Sequence, residues 1–151
     1  MNKNFKILFI IFLSFFSICS AGNSYEEKTK IGLLVPMTGK DKNLGQLIIK
    51  STRMALEDID DDKIEIFPKD TASNPDQTLK SAYQLKELGV KIIIGPIFYK
   101  NLIYLDELQE IVFLSLTNKT LELPGNVISS GINATSQLNA IKKFLKLNKI
   151  K

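Results

Sequence analysis

The chain has 151 residues, with 20 Lys or Arg against 16 Asp or Glu, a formal charge of +4, one cysteine and no histidine. The lack of histidine excludes Ser-His-Asp catalysis and histidine metal sites. A nearly balanced charge, with no basic stripe interleaved with aromatics, gives no support to nucleic-acid binding.

Residues 1–21 have the three parts of an export signal. Lys3 and Lys6 make a positive start, Ile7 to Ile18 form an apolar run of 12 residues, and Ser20, Ala21 and Gly22 suit cleavage. The run is shorter than the ~20 residues that span a bilayer, so a cleaved signal is expected rather than an uncleaved anchor, with no stable membrane span. Cys19 raises lipid modification. A lipoprotein signal wants a small residue just before the cysteine and Leu three before it, where this chain has Ile18 and Phe16. Ordinary cleavage near Ala21 is the better fit. It removes the only cysteine and, with it, disulfides and thiolate chemistry. Loss of the two signal lysines leaves a charge of +2. Residues 22–29 read as a flexible lead-in and 30–151 as one domain, of a size that supports one core.

Ile31 to Val35 is a continuous apolar run, the pattern of a strand covered on both faces. A Pro/Gly loop, Pro36 to Asn43, leads into a helix marked by Leu44, Leu47, Ile48, Ser51, Ala55 and Ile59. The acidic run Asp58, Asp60, Asp61, Asp62 ends that helix. It lacks the glycine and distal glutamate of an EF-hand and reads as a solvated turn. Ile64 to Phe67 is a second strand. Asn74-Pro75-Asp76-Gln77 starts a second helix, with Asn74 as cap, Pro75 at the first position and Gln77 placed to reach back. Leu79, Ala82, Leu85 and Leu88 form its inner stripe, and Gly89 suits the position past its end. Val90 to Ile94 is a third strand, stopped by Gly95-Pro96. Leu102, Leu105 and Leu108 mark a short third helix, and Ile111 to Leu114 a fourth strand. Val127 to Ser129 is a fifth strand. Asn133 caps a last helix expected to turn Leu138, Ile141 and Leu145 inward.

Strands alternating with helices define an α/β fold: a three-layer α/β/α sandwich around a mostly parallel sheet. The expected strand order is 2-1-3-4-5. Ligands of such sheets bind beyond the carboxyl ends of the strands, where the order reverses, here between the first and third strands. Four segments point there: Pro36 to Gly45, Asp70-Thr71, Gly95 to Tyr99, and Ser115 to Asn118. Gly39 and Gly45 allow close backbone approach, or simply turn the chain. The amide groups opening the first helix can hold an anion. Asp70 faces the cleft or satisfies nearby amides. Phe98 and Tyr99 cover an apolar or sugar face, or pack in the core. Ser115, Thr117 and Asn118 offer short neutral hydrogen-bonding groups. A P-loop and a GxGxxG turn are absent. Asn118-Lys119-Thr120 and Asn133-Ala134-Thr135 match the short glycosylation pattern, which matters only in a eukaryotic secretory setting. No nucleophile–base pair is visible, so an enzyme and a cofactor are not expected.

The stretch IGLLVPMTGKDKNLGQ, its helix ending ALEDID, FPKDTASNPDQTLKSAYQL, GVKIIIGPIF and VFLSLTN, in that order, resembles the type I periplasmic binding protein superfamily of leucine-binding-like proteins. The resemblance covers Lys30 to the end. It implies the first lobe of a two-lobed clamshell, with the chain stopping where it crosses to the second lobe. It also implies export to the periplasm and a ligand contact surface including Thr38, Gly39, Leu44, Gly45, Asp70, Phe98, Tyr99, Ser115, Thr117 and Asn118. Two branches compete. Solute receptors for importers bind amino acids or similar small molecules and meet a transporter permease. Penicillin-binding protein activators act by contact on a peptidoglycan synthase. The first is the expected function and the second its alternative, although DDDKIEIFPKDTASNP and LSLTNKTLELPGNVISSG look more like the activators. Receptors usually carry Ser or Thr for the ligand carboxylate after the third strand, where Phe98 and Tyr99 stand here. They often place an aromatic before the first-loop glycine, where Leu44 stands. Ser115 and Thr117 fall near the family's second ligand-contacting loop.

Overall fold

The computed structural model describes residues 28–149. The expected export signal, Cys19 and most of the expected lead-in lie outside the described residues. Five parallel strands form one sheet: β1 (Thr29–Val35), β2 (Ile64–Asp70), β3 (Ile92–Ile94), β4 (Val112–Ser115) and β5 (Val127–Ser129). Their order is β2-β1-β3-β4-β5, as expected. Three α-helices accompany them: α1 (Lys42–Ile59), α2 (Pro75–Glu87) and α3 (Ala134–Leu147).

Side chains alternate across a strand, so the register assigns each to a face. Gly32, Leu34, Ile93, Phe113 and Val127 share one face. There they pack with Ala82 and Leu85 of α2 and with Leu102, Leu105 and Leu108. Gly32 is needed for that contact, because a β-carbon there would sit 2.7 Å from Leu85. Ile31, Leu33, Ile92, Ile94, Val112, Leu114 and Ile128 point to the opposite face. α1 lies against β1.

Local sequence explains most boundaries. Asn74 accepts from the Gln77 amide at 3.0 Å and Pro75 opens α2. The Gln77 side chain does not reach back; it donates to Ser81 Oγ. Gly89 stands past the α2 end at φ +81°. Asn133 and Ser136 form a reciprocal capping box at α3. Asp60 ends α1 in a left-handed conformation, and Asp61 accepts from the Lys63 amide, the solvated turn expected of the acidic run. β2 continues through Pro68 to Asp70, beyond the expected end at Phe67. It is an edge strand, where a proline needs to give up no ladder bond.

Three expectations are corrected. The third helix is two short 3-10 turns, Tyr99–Leu102 and Leu105–Glu107. Asn126 Nδ2 donates to the carbonyls of both Leu105 and Leu108, and so takes up acceptors that a helix would use itself. The three leucines are nonetheless buried. On α1, Leu44, Leu47, Ser51, Ala55 and Ile59 are exposed, and the inward positions are Gly45, Ile48, Ile49, Thr52 and Leu56. Gly45 sets that rotation: a β-carbon there would lie 1.9 Å from the Pro36 carbonyl oxygen. On α3, Leu138, Ile141 and Leu145 are exposed, and the helix has no buried residue.

Candidate functional site

The strands are parallel, so the exits of β1, β2, β3 and β4 lie at one edge of the sheet. This brings the four expected segments to that edge. Asp70 joins the first two. Its carboxylate accepts from the Met37 amide (2.7 Å), the Thr38 amide (3.3 Å), the Thr38 hydroxyl (2.6 Å) and the Ala72 amide (2.8 Å). Partial burial pushes its pKa up. The bonds from Thr38, Ala72 and Met37 outweigh that and hold the carboxyl below its usual value. Ala72 and Ser73 follow in consecutive left-handed conformations, and Ser73 Oγ donates to Asp41 at 2.7 Å. Thr38 and Gly39 stay exposed at the tip of the first loop, while Gly45 is buried against Pro36 and Leu44 faces solvent.

The third and fourth exits interlock in the same way. Gly95 adopts φ +104°, and a β-carbon there would meet the Leu34 carbonyl oxygen at 2.2 Å. Ser115, fully buried, donates to the Pro96 carbonyl at 2.8 Å and accepts from the Thr117 amide at 3.3 Å. Thr117 is buried too. Its Oγ1 accepts from the Lys119 amide, and its carbonyl accepts from Ser129 Oγ and the Gly131 amide. Asn118 is exposed, Phe98 half-buried and Tyr99 exposed. Lys119 Nζ lies 3.5 Å from the centre of the Tyr99 ring and 3.2 Å from Glu122. Tyr99 first, and then Glu122, raise the pKa of that ammonium.

Two hollows flank the start of α2. One, of about 650 Å3, is polar and includes Thr38, Asp70, Asn74, Asp76 and Lys80. The other, of about 670 Å3, has Pro75, Leu102, Ile103, Leu123 and Pro124 for walls, with Tyr99, Lys100, Asp106 and Glu122 around them. Ser115, Thr117, Phe98 and Asn118 line neither of these two. The structure thus gathers Thr38 with Asp70 and sets Tyr99 apart, beside charged groups that sequence reading passed over. Glu122 three residues from Lys119 was a readable signal; the Lys119–Tyr99 pairing, across 20 residues, was not. Among the described residues no cluster of acidic side chains is placed to hold a metal ion, and no helix is long and apolar enough to cross a membrane.

A parallel sheet whose polar exit loops gather at one edge is a frame on which binding proteins place their sites. The chain belongs to the periplasmic binding protein family, whose profile matches residues 28–146. Among solved structures it resembles the C-domain of LpoA from Haemophilus influenzae, a regulator of PBP1A, with a TM-score of 0.65 and 22% identity over 81% of this chain and 38% of that one. It also resembles the leucine-binding protein LivK of Thermotoga maritima (TM-score 0.61, 18% identity, 80% of this chain and 37% of that). A third likeness is to an ABC-transporter solute-binding protein of Rhodopseudomonas palustris in complex with 3,4-dihydroxybenzoic acid. It has a TM-score of 0.56 and 26% identity over 60% of this chain and 27% of that one. The chain therefore spans well under half the length of each of these proteins. Among curated proteins, none matches it. The fold is one lobe of a type I periplasmic binding protein, and the solved structures it resembles include both solute-binding proteins and a regulator of PBP1A.

Proposed function

We propose that the chain is an exported, non-enzymatic lobe that acts by protein contact, as a regulator of a peptidoglycan synthase, and that its carboxyl-edge loops carry the contact. One observation carries the reading: apart from the exposed Asn118, the small polar side chains that a receptor would turn to a solute are occupied inside the protein. Asp70 holds two loops together, and Ser115 and Thr117 are buried in backbone bonds. What faces outward is an aromatic and charged patch of Tyr99, Lys119, Glu122, Lys100 and Asp106. Exposed aromatics bounded by charges of both signs suit a protein partner.

A second reading, a receptor for a small solute such as an amino acid, is favoured by the hollow beside Tyr99. Its volume of about 670 Å3 falls in the range of small-molecule pockets. Two experiments separate the readings. Capture of a peptidoglycan synthase from envelope extracts by the purified chain, reduced in the Tyr99→Ala and Lys119→Glu variants, supports contact regulation. Absence of the synthase in repeated captures, together with saturable calorimetric titration by an amino acid, refutes it in favour of the solute.

A further inference from the structure

Two amide side chains on the face of the sheet that α2 covers are buried without a full set of partners. Asn101 is 1% exposed, and neither its Nδ2 nor its Oδ1 has a hydrogen-bond partner among the described residues. Exchanging the two atoms by a half-turn of the amide changes nothing, because both are unpartnered. Asn126 is 8% exposed. Its Nδ2 serves the carbonyls of Leu105 and Leu108, which fixes the orientation of the amide and leaves Oδ1 unpartnered. Each residue precedes a member of one buried apolar cluster, Leu102 and Val127.

Local geometry explains why no protein group answers Asn101. A 3-10 turn has three residues per turn, so its side chains point in three directions. Tyr99 with Leu102, and Lys100 with Ile103, take two of them and line the hollow of about 670 Å3. Asn101 takes the third, into the protein. Its backbone N–H donates to the Phe98 carbonyl at 3.0 Å and is spent on the turn itself. The turn packs on α2, whose buried hydroxyls are already engaged. Thr78 Oγ1 donates to the Asn74 carbonyl at 2.7 Å, and Ser81 Oγ to the Asp70 carbonyl at 2.6 Å. An amide buried dry forfeits the bonds it makes to solvent in the unfolded chain, and a leucine of similar volume would avoid that loss.

We propose that this side of the lobe encloses ordered water, one molecule held by the Asn101 amide and one at Asn126 Oδ1, and that Asn101 is a positioning residue for the turn that carries Tyr99. Water suits the site because it donates to Oδ1 and accepts from Nδ2. The backbone carbonyls of the turns each keep a second lone pair to complete its set. Among the described residues no charged side chain is buried, so the ligand is a neutral one. The site lies inside the fold. It stands whether the outward patch meets a synthase or a solute.

A crystal structure of the purified chain, at a resolution that shows ordered water, tests the site. Water density is expected within about 2.7–3.2 Å of the Asn101 amide and of Asn126 Oδ1. A dry amide at either residue, or one that meets a protein group directly, overturns the proposal. Asn101→Leu tests the same site in solution. Loss of a held water strands the carbonyls it serves, so a lower urea midpoint than the parent's is expected. A raised or unchanged midpoint is the result of a dry amide and overturns it equally. Positioning has its own readout. Lys119 Nζ lies 3.5 Å from the centre of the Tyr99 ring, so the neighbouring methylene protons carry a ring-current shift. In folded Asn101→Leu that shift should move towards the value of free lysine, whereas Ile93→Val, a core change of another kind, should leave it in place. A shift that stays the same in Asn101→Leu overturns the positioning role.

Discussion

The two faces of the sheet differ in what their apolar side chains have to do. On the face shared with α2, Leu34, Ile93 and Phe113 are fully buried in a single cluster. On the other, neighbours one residue away, Ile92 and Val112, are substantially exposed. Among the described residues the same strands give a closed core on one side and a partly open face on the other, because three of four crossovers travel in one direction. Burial here follows topology more than hydrophobicity.

Substitutions can break that contrast in graded steps. Phe113→Ala empties a closed core and should cost about 3–5 kcal/mol, whereas Val112→Ala, next door and exposed, should cost well under half as much. Parallel urea denaturations check this; equal losses would mean that the open face contributes to the lobe's own stability as much as the closed one does. Gly45→Ala drives a methyl group into the Pro36 carbonyl and should destabilise by about 1–3 kcal/mol, read in the same way.

Asp70→Ala leaves the amides of Met37, Thr38 and Ala72 without their acceptor and should cost about 1–3 kcal/mol. The folded pKa of Asp70 lies below its unfolded value, so its contribution is complete above the ordinary carboxylate range near pH 4. It is lost as pH falls through the lower, folded value. Asp70→Asn should therefore flatten the acid limb of a stability profile measured below about pH 5, with little change in its shape near neutrality. A limb as steep as the parent's would assign acid sensitivity to other carboxylates. Asn133→Ala removes one cap and should lower α3 helicity, seen by circular dichroism, at a cost of about 1 kcal/mol. The smallest effect is expected at Lys119→Ala. Its exposed pair with Glu122 should add nothing measurable to stability in urea denaturation, so any effect on partner capture belongs to recognition.

The strands, their order and the capped starts of α2 and α3 were legible because each is written locally: an apolar run, an Asn-Pro pair, an Asn ahead of a helical period; the answering Ser136 was not read. Three things were not. The rotation of α1 depends on Gly45 meeting a carbonyl nine residues back, and a helical period cannot say which of two apolar sectors turns inward. The broken third helix depends on Asn126, a side chain from beyond the next strand. The exposure of the α3 stripe depends on tertiary contacts, which a helical period does not report. At the site, sequence placed Thr38, Asp70, Tyr99, Ser115 and Thr117 at one edge of the sheet. It could not say whether their polar atoms meet a ligand or the chain's own backbone, because that is decided by the path of the loops.

The proposed regulatory role depends on recognition by the outward patch around Tyr99 rather than by the inward hydroxyls. The direct test is the affinity of the purified chain for a purified peptidoglycan synthase, measured for the parent and for Tyr99→Ala. At least a tenfold weakening, about 1.4 kcal/mol, with the fold intact by circular dichroism, is the result expected. An unchanged affinity, or no binding at all alongside saturable uptake of an amino acid that Thr117→Ala abolishes, would contradict it.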